Sequence, residues 1–200
     1  IMKKSFSSNL ELAKVWAKQE QYEAKGPSMF FKNQTLFSYG EHYELATFTE
    51  APNGQQVIFV NDNFYSSTTR KHLGIALRVI PEGVYSFTVP FEKCFYAYCQ
   101  QRNDFFKLSN LQSIINRLKD RVITTLKTQS KARKNTWHFH NALKQINQIN
   151  QICDLFKLEK IEKESILYYS EANAKFNQIN KAEIDKGALM IDSLYEYFGG

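Results

Sequence analysis

Residues 28–40, SMFFKNQTLFSYG, read as a β-hairpin. The runs MFF and TLF have strand length and composition, and Asn33 sits at the turn between them. Further on, residues 43–50, YELATFTE, alternate, with Tyr43, Leu45 and Phe48 as the inward residues. Pro52-Asn53-Gly54 supplies a tight turn, because Asn-Gly accepts positive φ, and QQVIFVN (55–61) is the next strand. A three- or four-stranded antiparallel sheet is expected. Before it, Ser8-Asn9-Leu10-Glu11 reads as a capping box. It opens a helix whose face carries Leu10, Ala13, Trp16 and Ala17, with Gly26-Pro27 as its stop and one face of the sheet as its seat. After the sheet, hydroxyls among Ser66, Ser67, Thr68 and Thr69 cap a second helix. Its expected stripe is Leu73, Ala76, Leu77 and Ile80, Pro81 ends it, and GVYSFTVPF (83–91) suggests one more strand.

From residue 107 the apolar period becomes helical. Ser109 with Gln112 reads as another capping box, and Leu108, Leu111, Ile115, Leu118 and Val122 step by three and four. Phe139, Leu143, Ile146, Ile149, Cys153 and Phe156 continue the seam on a second helix, across the local repeat QINQINQI. Ile161, Tyr168, Ala172, Phe176 and Ile179 mark a third, and Ile184, Ala188, Ile191, Tyr195 and Phe198 a fourth. The expected fold class is therefore α+β. An N-terminal helix packed on a small antiparallel sheet occupies 1–106, with residues 91–106 as a packed aromatic connector, and an antiparallel helical bundle occupies 107–200.

The 200 residues are 43% hydrophobic and 14% aromatic, which excludes a disordered chain. No apolar run approaches the roughly 20 residues that cross a bilayer, so no membrane partner is expected. Ile1 ahead of Met2 reads as a junction residue, and Met2 to Leu10 is too polar for a signal peptide. Cys94, Cys99 and Cys153 are an odd number without metal-type spacing and are expected to be free thiols in a reducing cytoplasm. Charge is uneven: residues 107–160 hold 11 Lys/Arg against 3 Asp/Glu, net +8, while 1–106 are net +1 and 161–200 net −3. A clustered positive field attracts polyanions or acidic protein faces.

Two stretches concentrate polar chemistry. LFSYGEHYELA (36–46) offers Ser38, Tyr39 and His42, and FYSSTTRKHLGIAL (64–77) offers Tyr65, Ser66, Thr68, Thr69, Arg70, Lys71 and His72. A hydroxyl beside a histidine suggests nucleophilic catalysis. No Gly-x-Ser-x-Gly elbow is present, no acid can be placed behind either histidine, and the His42/His72 spacing matches no metal pattern, so no catalytic residue, metal or cofactor is assigned. The bland alternative is that the hydroxyls cap the helix and the histidines satisfy buried backbone groups. A third option is a phosphate at the amino end of that helix, held with Arg70 and Lys71. In every functional reading Tyr39, His42 and the 66–72 helix start are expected to lie together.

These two stretches resemble a small domain that recurs in phage and prophage proteins, with members reading Y-S-Y-G-x-H-F-x-x-A and then Y-S-x-T-T-x-K-H. Ser38, Tyr39, Gly40, His42 and Ala46 fit the first pattern, and Tyr65, Ser66, Thr68, Thr69, Lys71 and His72 the second. Phe37 stands where the family usually has Tyr, and Tyr43 where it has Phe. The likeness covers about residues 8–80, and the family carries no established activity. It implies a viral or mobile-element accessory protein acting in the host cytoplasm, with an anti-CRISPR-like inhibitor of a host defence effector or nucleoprotein as the expected role.

The basic excess converges on KTQSKARKNTWHFH (127–140), where Lys127, Lys131, Arg133 and Lys134 precede Trp137, His138 and His140. Cations beside an aromatic ring suit a nucleic-acid contact. Arg117, Lys119 and Arg121 are expected to join them if the first two bundle helices are antiparallel. The alternative is a solvated helix end with Trp137 in the core. His138 and His140, two apart, do not share a helical face, which argues against a metal. The leading function is a binding protein that contacts nucleic acid or the effector through this surface. The alternatives are an enzyme acting on nucleic acid or nucleotide through Tyr39, His42, Lys71 and His72, and a helical assembly protein that forms a homodimer through its seam.

Overall fold

The hairpin of residues 28–40 forms as its sequence dictates. A computed structural model of the protein describes residues 4–63, 66–93, 104–134, 136–162 and 167–198. Met29–Lys32 and Thr35–Ser38 pair antiparallel, and Asn33 takes the left-handed conformation (φ 55°) that the turn demands. Numbered in chain order, the elements of this half are α1 (Asn9–Lys18), β1 (Glu23–Lys25), β2 (Met29–Lys32), β3 (Thr35–Ser38), β4 (Glu44–Glu50), β5 (Gln56–Asn61), α2 (Ser67–Arg78) and β6 (Tyr85–Val89). Together the strands make one six-stranded sheet in the order β1-β2-β3-β4-β5-β6. It is larger than the expected three or four strands, because the short β1 joins one edge and β6 the other. β5 and β6 pair in parallel, so α2 is the crossover helix of a βαβ unit.

The α+β class stands, with local corrections. α1 ends at Lys18, where Gln19 turns left-handed (φ 52°), well before Gly26-Pro27. Ser8 caps it by accepting from the amide of Leu10. Leu12 is buried on its inner face, whereas Leu10 is 37% exposed. On α2 the buried stripe is Thr69, His72, Leu73 and Ala76, and Leu77 points outward. Leu73 and Ala76 are buried as expected, while the polar Thr69 and His72 join them in place of Leu77.

Both faces of the sheet are covered. Leu12, Trp16, Leu73 and Ala76 from the two helices pack on Phe31, Leu36, Phe48, Ile58 and Val60. Trp16 also donates its indole N–H to the Gln34 carbonyl at 2.9 Å. On the opposite face Phe59 meets the rings of Phe87, Phe106 and Phe156 at 5.9, 4.3 and 5.7 Å between centroids. A two-stranded ladder pairs β7 (Glu92–Lys93) with β8 (Asp104–Phe105). The rest of the aromatic connector, with Cys94 and Cys99, lies outside the described residues.

The chain divides into two units, one of residues 1–117 with 154–158 and one of 118–153 with 159–200. Three helices follow the sheet: α3 (Leu111–Lys131), α4 (Trp137–Phe156) and α5 (Leu167–Phe198). The expected third and fourth helices are one continuous helix of 32 residues. A 3-10 turn over Leu108–Asn110 precedes α3, so Leu108 is exposed and Ser109 donates to the Asn110 side chain instead of capping. Leu118, Val122, Leu126, Phe139, Ile146, Ile149, Cys153, Ala172 and Ile179 are buried in their units, whereas Ile184, expected on the seam, is 70% exposed, and the side chains of Ala188, Ile191, Tyr195 and Phe198 lie outside what is described. Cys153 is in no disulfide among the described residues. Asn150 clamps the approach to α5, donating to the Ile161 carbonyl and accepting from its amide.

Candidate functional site

The two polar stretches meet in the first unit, around His72. The β2–β3 hairpin carries Ser28 and Ser38 on its open end, and α2 delivers His72 from its second turn. His72 Nδ1 lies 2.7 Å from Ser38 Oγ, and its Nε2 lies 2.9 Å from Ser28 Oγ. Asn9, at the start of α1, fixes Ser28: its side-chain oxygen accepts from the amides of Ser28 and Met29, and its amide nitrogen donates to Ser28 Oγ at 2.8 Å. A neutral imidazole donates from one ring nitrogen and accepts at the other, so it donates to one of these serines and accepts from the hydroxyl of the other. Tyr39 follows in the left-handed conformation (φ 61°), its amide donating to the Ser28 carbonyl and its ring 5.4 Å from that of His72. His42 is exposed and reaches no partner among the described residues. Gly40 makes room for it, since a Cβ there would come within 2.7 Å of His42 Nδ1.

Sequence pattern thus brings Ser38, Tyr39 and His72 together, with Tyr39 over the second turn of α2. It does not bring in His42, and Tyr65 lies outside the described residues. Asn9 and Ser28 were missed. They lie 63 and 44 residues from His72 in sequence, and no local spacing marks them. Chemically the cluster is closed. Ser38 is 2% and His72 4% exposed, so the hydroxyl beside the imidazole does not face solvent, and a serine, not a carboxylate, stands behind the ring. It joins α1, the hairpin and α2 as a polar strut.

Burial also holds the His72 imidazole below its ordinary pKa. The folded state keeps the neutral ring, whereas the unfolded chain takes up a proton near pH 6.5. Below that pH the unfolded state binds more protons, so stability falls as pH falls, down to the folded-state pKa. Chemical denaturation from pH 7.5 to 5 should show this loss. His72→Gln, which keeps an amide for the serines but cannot titrate, should flatten the slope; an unchanged slope would assign it to other groups.

The amino end of α2 is already capped. Ser66 Oγ accepts from the Thr69 amide at 3.1 Å and bonds Thr69 Oγ1 at 2.7 Å, which buries Thr69. Thr68 is half-buried, while Arg70 and Lys71 are exposed.

The basic residues take three different settings. Arg117 belongs to the first unit, half-buried, with Nη1 donating to the Phe91 carbonyl at 3.4 Å. In the second unit Lys119 is half-buried and Arg121 is exposed on α3. Lys127, Lys131, Arg133 and Lys134 are exposed at the junction where α3 ends and α4 begins. Lys127 stands over the Tyr168 ring, 4.6 Å from its centroid. Trp137, the first residue of α4, is 60% exposed, with the His138 ring edge-on at 5.0 Å. Phe139 carries the packing there instead, stacked on Phe176 at 4.5 Å. The hydroxyls of Thr124, Thr125, Thr128 and Ser130 bond back to carbonyls of their own helix. Residues 121–153 hold six Lys/Arg and no Asp/Glu. None of Lys131, Arg133 and Lys134 forms an ion pair among the described residues. Charged donors and a largely exposed indole are what this tip offers a ligand.

Among the described residues no group of three His, Cys, Asp or Glu side chains is placed to hold a metal, and no helix is long and apolar enough to cross a membrane. No protein-family model, curated protein or solved structure matches the chain.

Proposed function

We propose that this chain is a binding protein that holds nucleic acid, alone or within a nucleoprotein, on the tip of the α3–α4 hairpin. The observation that carries the reading is the exposure of Trp137 beside Lys131, Arg133 and Lys134, which form no ion pair among the described residues. A tryptophan needed for packing would be inside, and this one leaves 60% of its surface in water. Lysine and arginine meet phosphates without reading sequence, and an open ring stacks on any unpaired base, so single strands are the preferred form. The resemblance of the 8–80 segment to phage accessory domains extends the proposal to a partner, a host defence nucleoprotein that this tip would engage in an anti-CRISPR-like role. The test is fluorescence anisotropy with a labelled 20-nucleotide single strand, as DNA and as RNA, at 50 and 200 mM salt. Affinity should fall steeply with salt, with log K linear in log salt at about −0.7 per phosphate contacted. No binding at 50 mM salt, or a flat salt response, would overturn the reading.

A further inference from the structure

The outward face of α2 carries a second arrangement that the hairpin does not explain. Ser67, Lys71, Gly74 and Arg78 step by four, three and four residues, which puts them on one side of the helix. They line a groove of about 890 Å³ with Arg70 and Ile75. The helix, Ser67–Arg78, has three cations and no acid. Glycine is among the least favourable residues inside a helix. Usually a neighbour too close for a Cβ explains it, but a Cβ built on Gly74 meets nothing within 4 Å among the described residues. Among the described residues, then, packing does not ask for a helix-weakening residue at this position. That residue sits one turn from Lys71 on one side and one turn from Arg78 on the other.

We propose that this face of α2 is a contact for the sugar–phosphate backbone of a nucleic-acid strand, with Lys71 and Arg78 on flanking phosphates and Gly74 as the point of closest approach. Seven residues at 1.5 Å each set the two cations about 10 Å apart along the axis. That span exceeds one nucleotide step of a strand, so the two cations meet different phosphates. The bare glycine lies beneath the middle of the span, where a side chain would hold the strand off the helix. Arginine and lysine supply the charge, and the Ser67 hydroxyl supplies a neutral donor to the same row. The stripe has no aromatic residue, so the contact is to the backbone and not to bases.

This surface lies in the first unit and does not depend on Lys131, Arg133 and Lys134, so the test reverses those three charges. In the full chain carrying Lys131→Glu, Arg133→Glu and Lys134→Glu, labelled with ¹⁵N, a 12-nucleotide oligothymidylate is titrated at low salt. The amide signals of Lys71 and Gly74 should move and saturate, and adding Lys71→Glu and Arg78→Glu should abolish the movement. In the same background Gly74→Leu should weaken the oligonucleotide at least about threefold while the melting temperature holds or rises, as expected for a better helix former. Signals that do not move, or an affinity that Gly74→Leu leaves unchanged, overturn the proposal. So does equal movement with poly-glutamate, which would assign the face to an acidic protein.

Discussion

Reversing Lys131, Arg133 and Lys134 to Glu should weaken single-strand binding by about 100-fold at low salt, roughly 2.8 kcal/mol at 1.4 kcal/mol per decade. All three sites are exposed and outside ion pairs among the described residues. The fold loses little, about 0.5 kcal/mol or less per surface substitution. The ligand loses three attractions and meets three repulsions in their place. If each cation releases counterions from one phosphate, the salt slope should also drop by about 2. The two readouts separate causes: misfolding lowers the melting temperature, whereas a lost contact lowers affinity and slope together. A variant that keeps both affinity and slope would show the hairpin tip to be a solvated face only.

The chain's two tryptophans should behave as opposites. Trp137→Ala should cost about 1–3 kcal/mol of binding, roughly 5- to 100-fold, and leave the melting temperature nearly unchanged. Trp16→Ala should do the reverse. Trp16 is fully buried, packs 5.0 Å from the Phe48 ring and donates to the Gln34 carbonyl, so its removal leaves a cavity and leaves that carbonyl only the Phe48 amide as donor. That should cost about 3–5 kcal/mol of stability. At about 2–4 °C per kcal/mol for a chain of this size, the melting temperature falls by on the order of 10 °C. Thermal melts beside binding isotherms for both variants decide the matter. A Trp137→Ala protein that binds normally would remove the indole from the site.

Local signals carried the fold reading a long way. Asn33 and Gly54 marked their turns because both positions require positive φ, and Ser66 marked the start of α2 because its hydroxyl takes a free amide. What failed was non-local. β1 is three residues long and is held by β2 on one side and by residues 4–6 on the other, and no periodicity can show in EAK. The parallel pairing of β5 with β6 depends on a crossover and not on a turn. On α2, His72 and Thr69 are buried because Ser28, Ser38 and Ser66 satisfy them, so polarity hid two core positions while Leu77 was left outside. The site divides the same way. The clustering of Ser38 and Tyr39 with His72 and the basic junction were visible in the residues themselves. The parts played by Asn9 and Ser28 were not, because neither lies near its partner in sequence.

The return of residues 154–158 to the first unit has a consequence for how the protein is made. Phe59 lies on a central strand of the sheet, and one of the rings over it belongs to Phe156, nearly a hundred residues later. Translation delivers the sheet, α1 and α2 first, with one apolar face still lacking that cover. The α3–α4 hairpin must then leave the ribosome before Phe156 can arrive. During that interval the nascent chain keeps Phe59 partly uncovered, as a surface that a chaperone would recognise. Ending the polypeptide just after α3 would make this exposure permanent.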